Sequence, residues 1–170
     1  MLDIVFGSYH NAQRLQIAVT VQDTDGTFIE TQWLPLDENF TRAGVDLILA
    51  ADLDGDGDDD LIGKVDASIL PGQEDSSEGE LGFFALKNQG GTLVNVTDAW
   101  LGGALASELL PDSRVAGLYL EDISGDGYLD LLFAHSGLNL NQLGKFLFIN
   151  NGSGQFSPAV RIDIDSEMGV

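Results

Sequence analysis

The residues best suited to chemistry are aspartates that alternate along the short segment DLDGDGDDDL, residues 52–61. Alternate residues of a tight turn can face one centre when glycines, here Gly55 and Gly57, let the backbone curl inward. Carboxylates held about 4 Å apart repel one another by roughly 1 to 4 kcal/mol per pair, depending on the local dielectric constant. A bound cation would relieve that repulsion, whereas a solvated acidic tract would need no regular spacing. The predicted ligands are the side chains at loop positions 1, 3, 5 and 9 and the carbonyl at position 7: Asp52, Asp54, Asp56, Asp60 and Asp58.

A second segment has the same pattern 70 residues further along the chain. The stretch VDLILAADLDGDGDDDLIG, residues 45–63, aligns without gaps with VAGLYLEDISGDGYLDLLF, residues 115–133. Ser124 stands where the first loop has an aspartate and keeps an oxygen, as a coordination sphere permits. Both loops lie between apolar stretches, whereas a solvated charge run would have polar surroundings. The second predicted ligand set is therefore Asp122, Ser124, Asp126, Tyr128 and Asp130.

The composition narrows the choice of cation. The chain has no cysteine and only two histidines, which excludes thiolate sites and all-imidazole zinc sites. Hard oxygen donors remain, and these favour Ca²⁺ or Mg²⁺. An EF-hand loop would need glutamate at position 12, where this chain has Gly63 and Phe133. The predicted coordination therefore ends at position 9.

Short strands and glycine-containing turns must position these loops. A hairpin signal, in which an Asn, Asp and Gly turn follows an apolar strand, ends on Phe28, Leu93 and Phe156. Four antiparallel strands in roughly 60–70 residues match one propeller blade. We expect helix to be limited to a turn or two within Thr97–Leu110. The predicted fold is all-β, a partial β-propeller of about two and a half four-stranded antiparallel blades at residues 1–35, 43–100 and 113–165.

Blade number and charge set further expectations. A closed propeller needs at least about four blades, so we expect either a fragment of a longer chain or copies that complete a ring. The formal net charge of −21 disfavours nucleic acid and anionic membrane surfaces as partners. No apolar run approaches the roughly 18–20 residues of a membrane span, and residues 1–10 lack the features of a secretory signal.

Several of these segments resemble a known family. DLDGDGDDDLIG and DISGDGYLDLLFA resemble the calcium loops of FG-GAP/VCBS repeats, which are the blades of integrin-α-type and related bacterial propellers. FINNGSGQFSP and TVQDTDGTFIE are similar to the hairpin that follows in VCBS repeats, and LVNVTDAWLG resembles the end of such a blade. The resemblance implies two Ca²⁺ sites and a calcium-stabilised propeller of seven or eight blades in the full protein. It also implies a secreted, cell-surface or periplasmic location.

Two functions follow as hypotheses. The first is a non-catalytic module for extracellular protein or glycan recognition or scaffolding, with an unidentified ligand and with further blades or other copies as partners. The alternative is the propeller portion of a secreted polysaccharide-acting enzyme, such as a lyase, whose catalytic residues lie outside this fragment. The chain has neither a G-x-S-x-G elbow nor a phosphate-binding P-loop. Its seven basic residues are spread along the chain rather than clustered on one rim, which favours the binding hypothesis.

Overall fold

The computed structural model describes residues 4–10, 14–22, 25, 27–35, 44–66, 81–102, 114–136 and 144–162. Within this part of the chain, strands dominate and one short helix, α1 (Thr97–Leu101), is present. The strands are β1 (Ile4–His10), β2 (Arg14–Gln22), β3 (Phe28–Pro35), β4 (Gly44–Ala51), β5 (Asp60–Asp66), β6 (Leu81–Gln89), β7 (Thr92–Asn95), β8 (Arg114–Glu121), β9 (Asp130–Ser136), β10 (Gly144–Phe148) and β11 (Val160–Ile162).

These strands form three antiparallel sheets in which neighbours in the chain are neighbours in space. Two sheets have four strands, in the orders β4-β5-β6-β7 and β8-β9-β10-β11, and β1-β2-β3 form a three-stranded sheet. Short strands joined by tight turns favour this arrangement, because only antiparallel neighbours can be connected by a hairpin. The all-β prediction is confirmed, whereas closure of the sheets into a propeller stays a prediction.

The single helical turn agrees with the expectation of at most a turn or two between Thr97 and Leu110. Helix α1 ends at Leu101, and residues 103–113 lie outside the described part of the chain. No helix among the described residues is long and apolar enough to span a lipid bilayer.

Both four-stranded sheets carry an irregularity at the same place. The register of β4 against β5 shifts between Val45 and Leu47, and that of β8 against β9 shifts between Val115 and Gly117. A bulge of this kind bends a strand and increases its local twist. The two shifts are 70 residues apart, the same offset that separates the two acidic loops.

A hydrophobic core joins the two four-stranded sheets. Its residues come from both sheets, and the Phe83 and Phe133 rings meet edge to face with their centroids 5.7 Å apart. Leu53, inside the first acidic loop, is 1% exposed and belongs to the same core. Burying one such leucine or phenylalanine contributes roughly 1.5–3 kcal/mol. The core therefore holds the first loop against the sheets as well as the sheets against each other.

Polar and backbone contacts also connect the two sheets. The Phe156 N–H, after β10, donates a 3.1 Å hydrogen bond to the Trp100 carbonyl in α1. Gly154 lies directly against the Trp100 indole, where an added Cβ would come within 2.3 Å of the ring, and its φ is +76°. Glycine is therefore needed at this position both for space and for backbone conformation. Strand β4 also lies beside β1 and β8, the first strands of the other two sheets.

Candidate metal centre

The first acidic loop, residues 52–60, is curled by hydrogen bonds to its first aspartate. The Gly55 N–H donates to Asp52 Oδ1 at 2.8 Å, and the Gly57 N–H donates to Asp52 Oδ2 at 3.0 Å. Gly55 and Gly57 have φ values of 77° and 93°, in the left-handed region that favours glycine. The sequence DGDG thus folds the backbone into a tight turn around the carboxylate at position 1.

The last aspartate of the loop fastens the turn to the sheet. Asp60 is fully buried; its Oδ2 accepts the Leu53 N–H at 3.0 Å and its Oδ1 accepts the Asn88 N–H at 2.8 Å. Burial raises the pKa of this carboxyl, and the charges of Asp54 and Asp56 raise it further, although the two hydrogen bonds act in the opposite direction. A neighbouring cation would favour the ionised form.

Three carboxylates of this loop converge. One carboxylate oxygen from each of Asp52, Asp54 and Asp60 lies within 4.8 Å of the other two. Three of the five predicted ligands are therefore brought together. Oxygen donors of this kind suit Ca²⁺ or Mg²⁺, and Ca²⁺ takes about six to eight such ligands. The donor chemistry of the first loop fits calcium.

The other two predicted ligands of the first loop have different contacts. Asp56 lies outside the group of three, and its Oδ2 is 3.0 Å from the Lys87 ammonium. The Asp58 N–H and then Lys87 lower the pKa of the Asp56 carboxyl. The Asp58 carboxylate accepts the Gly90 N–H at 3.0 Å, which leaves its carbonyl as the predicted donor. Asp59 is exposed, as expected for a residue between ligand positions.

The second acidic loop, residues 122–130, has the same backbone arrangement. Asp122 accepts the N–H groups of Gly125 at 2.7 Å and of Gly127 at 3.0 Å. These glycines have φ values of 77° and 94°. Asp130 is fully buried and accepts the Ile123 N–H at 3.1 Å. Each of these three hydrogen bonds has its counterpart 70 residues earlier.

The side chains of the second loop are less concentrated. Among the described residues, its aspartates do not form a group of three converging carboxylates like that of the first loop. Ser124 contributes a backbone N–H to Asp130 at 2.8 Å, and the Asp126 carboxylate accepts the Tyr128 N–H at 3.0 Å. Three predicted carboxylate ligands, Asp122, Asp126 and Asp130, are thus present on the same turn but are not drawn together.

Tyr128, at position 7 of the second loop, places its side chain between the loops. The ring lies against Gly152, where an added Cβ would come within 2.5 Å of it. Its Cε1 atom would lie 3.8 Å from a Cβ added to Gly55 of the first loop. The predicted role of Tyr128 involves its carbonyl alone, so the ring is free to line the space between the two loops.

Asn150 connects the two loops and was not identified from the sequence. Its side-chain amide donates to the carbonyls of Leu53 at 2.8 Å and Leu129 at 3.1 Å, and its backbone N–H donates to Asp130 Oδ1 at 2.9 Å. Asn88 holds the corresponding place at the first loop. An asparagine before both glycine turns, in KNQGG and INNGSG, was the available signal.

Lys87 is the second residue that sequence reasoning missed. Its ammonium group pairs with the carboxylates of Asp54 and Asp56. These residues are about thirty positions apart, across the segment 67–80 that lies outside the described residues. No local pattern in the sequence indicates which side chain of β6 will face the loop.

Comparisons with protein-family models, with curated proteins and with solved structures find no match to this chain.

Proposed function

We propose that this chain is a calcium-binding β-propeller module that serves in recognition or scaffolding outside the cell and not in catalysis. The observation that carries the proposal is the convergence of the Asp52, Asp54 and Asp60 carboxylates on a glycine-curled turn. Such a cluster is electrostatically unfavourable without a cation and suits a hard divalent ion. The matching backbone of residues 122–130 supports a second site, with Asp122, Asp126 and Asp130 drawn inward by the ion.

Calcium would have a structural role here. The first loop joins β4 to β5, and its buried Asp60 already holds the end of β6 through the Asn88 N–H. An ion that neutralises the loop would therefore stabilise the junction of three strands at once. Because the unfolded chain offers no preformed site, the free energy of binding would add directly to the free energy of folding.

The larger setting of the module follows from the same proposal. The three sheets would be successive blades, and three are fewer than the roughly four that the smallest closed propeller needs. Further blades, or other copies of this chain, would complete the ring. The resemblance to FG-GAP/VCBS repeats supports an extracellular or periplasmic location, where calcium is abundant enough for sites with Kd on the order of 10⁻⁴–10⁻³ M.

Metal removal tests this function. We expect excess EGTA to lower the melting temperature of the chain, and millimolar Ca²⁺ to restore it, because the ion binds only the folded form. Saturation at about 100 times Kd would contribute roughly 2.7 kcal/mol per site. Circular dichroism melting measures the shift, and equal ionic strength made up with NaCl is the control. Superimposable melting curves in EGTA and in Ca²⁺ would disprove the proposed calcium sites.

A further inference from the structure

A lysine of the protein itself, Lys87 of β6, places a positive charge at the first acidic loop. The Lys87 ammonium contacts the Asp54 carboxylate and lies 3.0 Å from Asp56 Oδ2. The Asp54 side chain is only 8% exposed and that of Lys87 is 24% exposed, so this pair is partly withdrawn from solvent. Asp54 is one of the three converging carboxylates, and Asp56 is a predicted ligand. The Lys87 ammonium therefore contacts carboxylate oxygens that a metal ion would also need as ligands.

Among the described residues, the place beside the second loop that corresponds to Lys87 holds an apolar side chain. Strand pairing sets Leu61 opposite Leu86 in one sheet and Leu131 opposite Phe148 in the other. The next residue toward the loop is Lys87 in the first case and Ile149 in the second. The following asparagines confirm this correspondence, because their N–H groups donate to Asp60 and to Asp130. A charged side chain and an apolar one thus occupy equivalent positions beside two loops of the same geometry.

We propose that Lys87 is an internal counter-cation that competes with Ca²⁺ for the first loop. This inference rests on the proposed function. In the metal-free protein the ammonium offsets part of the repulsion among the carboxylates and keeps the turn closed. Ca²⁺ must displace it from Asp54 and Asp56, and the displaced positive charge then repels the ion. The first loop, despite its larger number of carboxylates, therefore binds Ca²⁺ more weakly than its ligands alone would allow.

The displacement is chemically reasonable because lysine is a flexible point charge. Its four-carbon stem can swing the ammonium into solvent without disturbing β6. Ca²⁺ must break this partly buried ion pair and then bind close to a remaining positive charge, so neutralising Lys87 should strengthen binding on the order of tenfold.

Calorimetric titration of the first loop alone tests this inference. The second loop is disabled by Asp122→Asn with Asp126→Asn, and Lys87→Met then removes the charge while keeping an unbranched apolar stem. We expect Ca²⁺ to bind the Lys87→Met protein about tenfold more tightly than its parent, and Lys87→Arg to behave like the parent. Lys87→Gln is the second neutral variant, and melting curves establish that each protein is folded.

A matched control removes one lysine elsewhere. Lys145→Met changes the net charge by the same amount at an exposed position of β10, away from the first loop. We expect it to leave the Kd unchanged. Equal Kd values for the parent, Lys87→Met and Lys87→Gln would overturn the competition and leave the proposed calcium site intact. Absence of Ca²⁺ binding by the parent and by both neutral variants would overturn the calcium site proposed for the first loop, and this inference with it.

Discussion

The carboxylates at position 9 of the two loops have a different task from the others. Asp60 and Asp130 are fully buried. Asp60 accepts the Leu53 N–H of its own loop and the Asn88 N–H of β6. Asp130 accepts the Ile123 and Ser124 N–H groups of its own loop and the Asn150 N–H just after β10. Each of their carboxylate oxygens therefore already accepts a backbone N–H before any ion binds. At positions 3 and 5 of the first loop, Asp54 and Asp56 instead accept N–H groups two residues further along the loop and pair with Lys87. They do not hold the loop to the sheet backbone, so their charge can be removed with less damage to the fold.

The first residue-scale prediction concerns those two positions. We expect Asp54→Asn with Asp56→Asn to abolish one of two bound calcium ions, because an amide oxygen is a weaker ligand and two charges are lost. Isothermal titration calorimetry measures the stoichiometry. Asp59→Asn is the control, since Asp59 is an exposed residue of the same loop that is not a predicted ligand. Retention of both ions by the double variant would contradict the assignment of the first loop.

At the same scale, the limit of sequence reasoning is visible in Lys87. The alternation of aspartates and the glycines between them predict the turn, because both act over a few neighbouring residues. The pairing of Lys87 with Asp54 depends on how β6 lies against β5, and hence on strand register across a long connection. The spacing within a motif predicts metal ligands that lie close together in the chain. It does not predict a competing cation, such as the Lys87 ammonium, that comes from another strand.

At the scale of elements, the hairpin turn after β10 is more than a connection. The sequence indicated a hairpin at INNGSGQF, and the structure confirms a bridge between Asn150 and Phe156. The same turn reaches the other sheet, through the Asn150 amide to Leu53 and the Phe156 N–H to Trp100. A turn motif predicts its own backbone conformation, and the repeated asparagine marks a position, whereas the partners of these contacts depend on how the two sheets pack.

The element-scale prediction compares the two equivalent asparagines. We expect Asn150→Ala to lower the free energy of unfolding by roughly 2–4 kcal/mol, because it leaves the Leu53 and Leu129 carbonyls without their buried donor. Asn88→Ala should lower it by only about 1 kcal/mol, since among the described residues the Asn88 side chain accepts a single hydrogen bond, from the exposed Gly91 N–H.

Urea denaturation in excess EGTA measures both values without a contribution from calcium. The backbone N–H of each asparagine still reaches its aspartate in the alanine variants, so the comparison isolates the side chains. Equal losses of stability in the two variants would show that the bridge to Leu53 contributes nothing.

At the scale of the whole molecule, the core and the loops depend on each other. Leu53 belongs to the core, its N–H is held by Asp60 and its carbonyl by Asn150. Loss of one loop would therefore loosen the packing between the two four-stranded sheets. The all-β character of this assembly was predictable from apolar stretches and turn residues. Which core side chains meet across the sheets, such as Phe83 and Phe133, was not, because that depends on the angle between sheets.

The contact between Gly154 and Trp100 gives the molecule an intrinsic optical reporter. The indole is 6% exposed, and it lies where the end of one sheet meets the turn of the other. The chain has two tryptophans, so Trp33→Phe leaves Trp100 as the only tryptophan emitter. Its emission should be blue-shifted when the sheets are joined and should move to longer wavelength when water enters between them.

In that single-tryptophan protein we expect the fluorescence and circular dichroism midpoints in urea to coincide, because the two sheets share one core and unfold together. Gly154→Ala should shift the emission to the red even without urea, since the new methyl group and the ring cannot occupy the same space. A fluorescence midpoint clearly below that of circular dichroism would mean that the sheets part before either one melts. The two four-stranded sheets would then separate at Trp100 while each stays folded, and Trp100 fluorescence would report this separation.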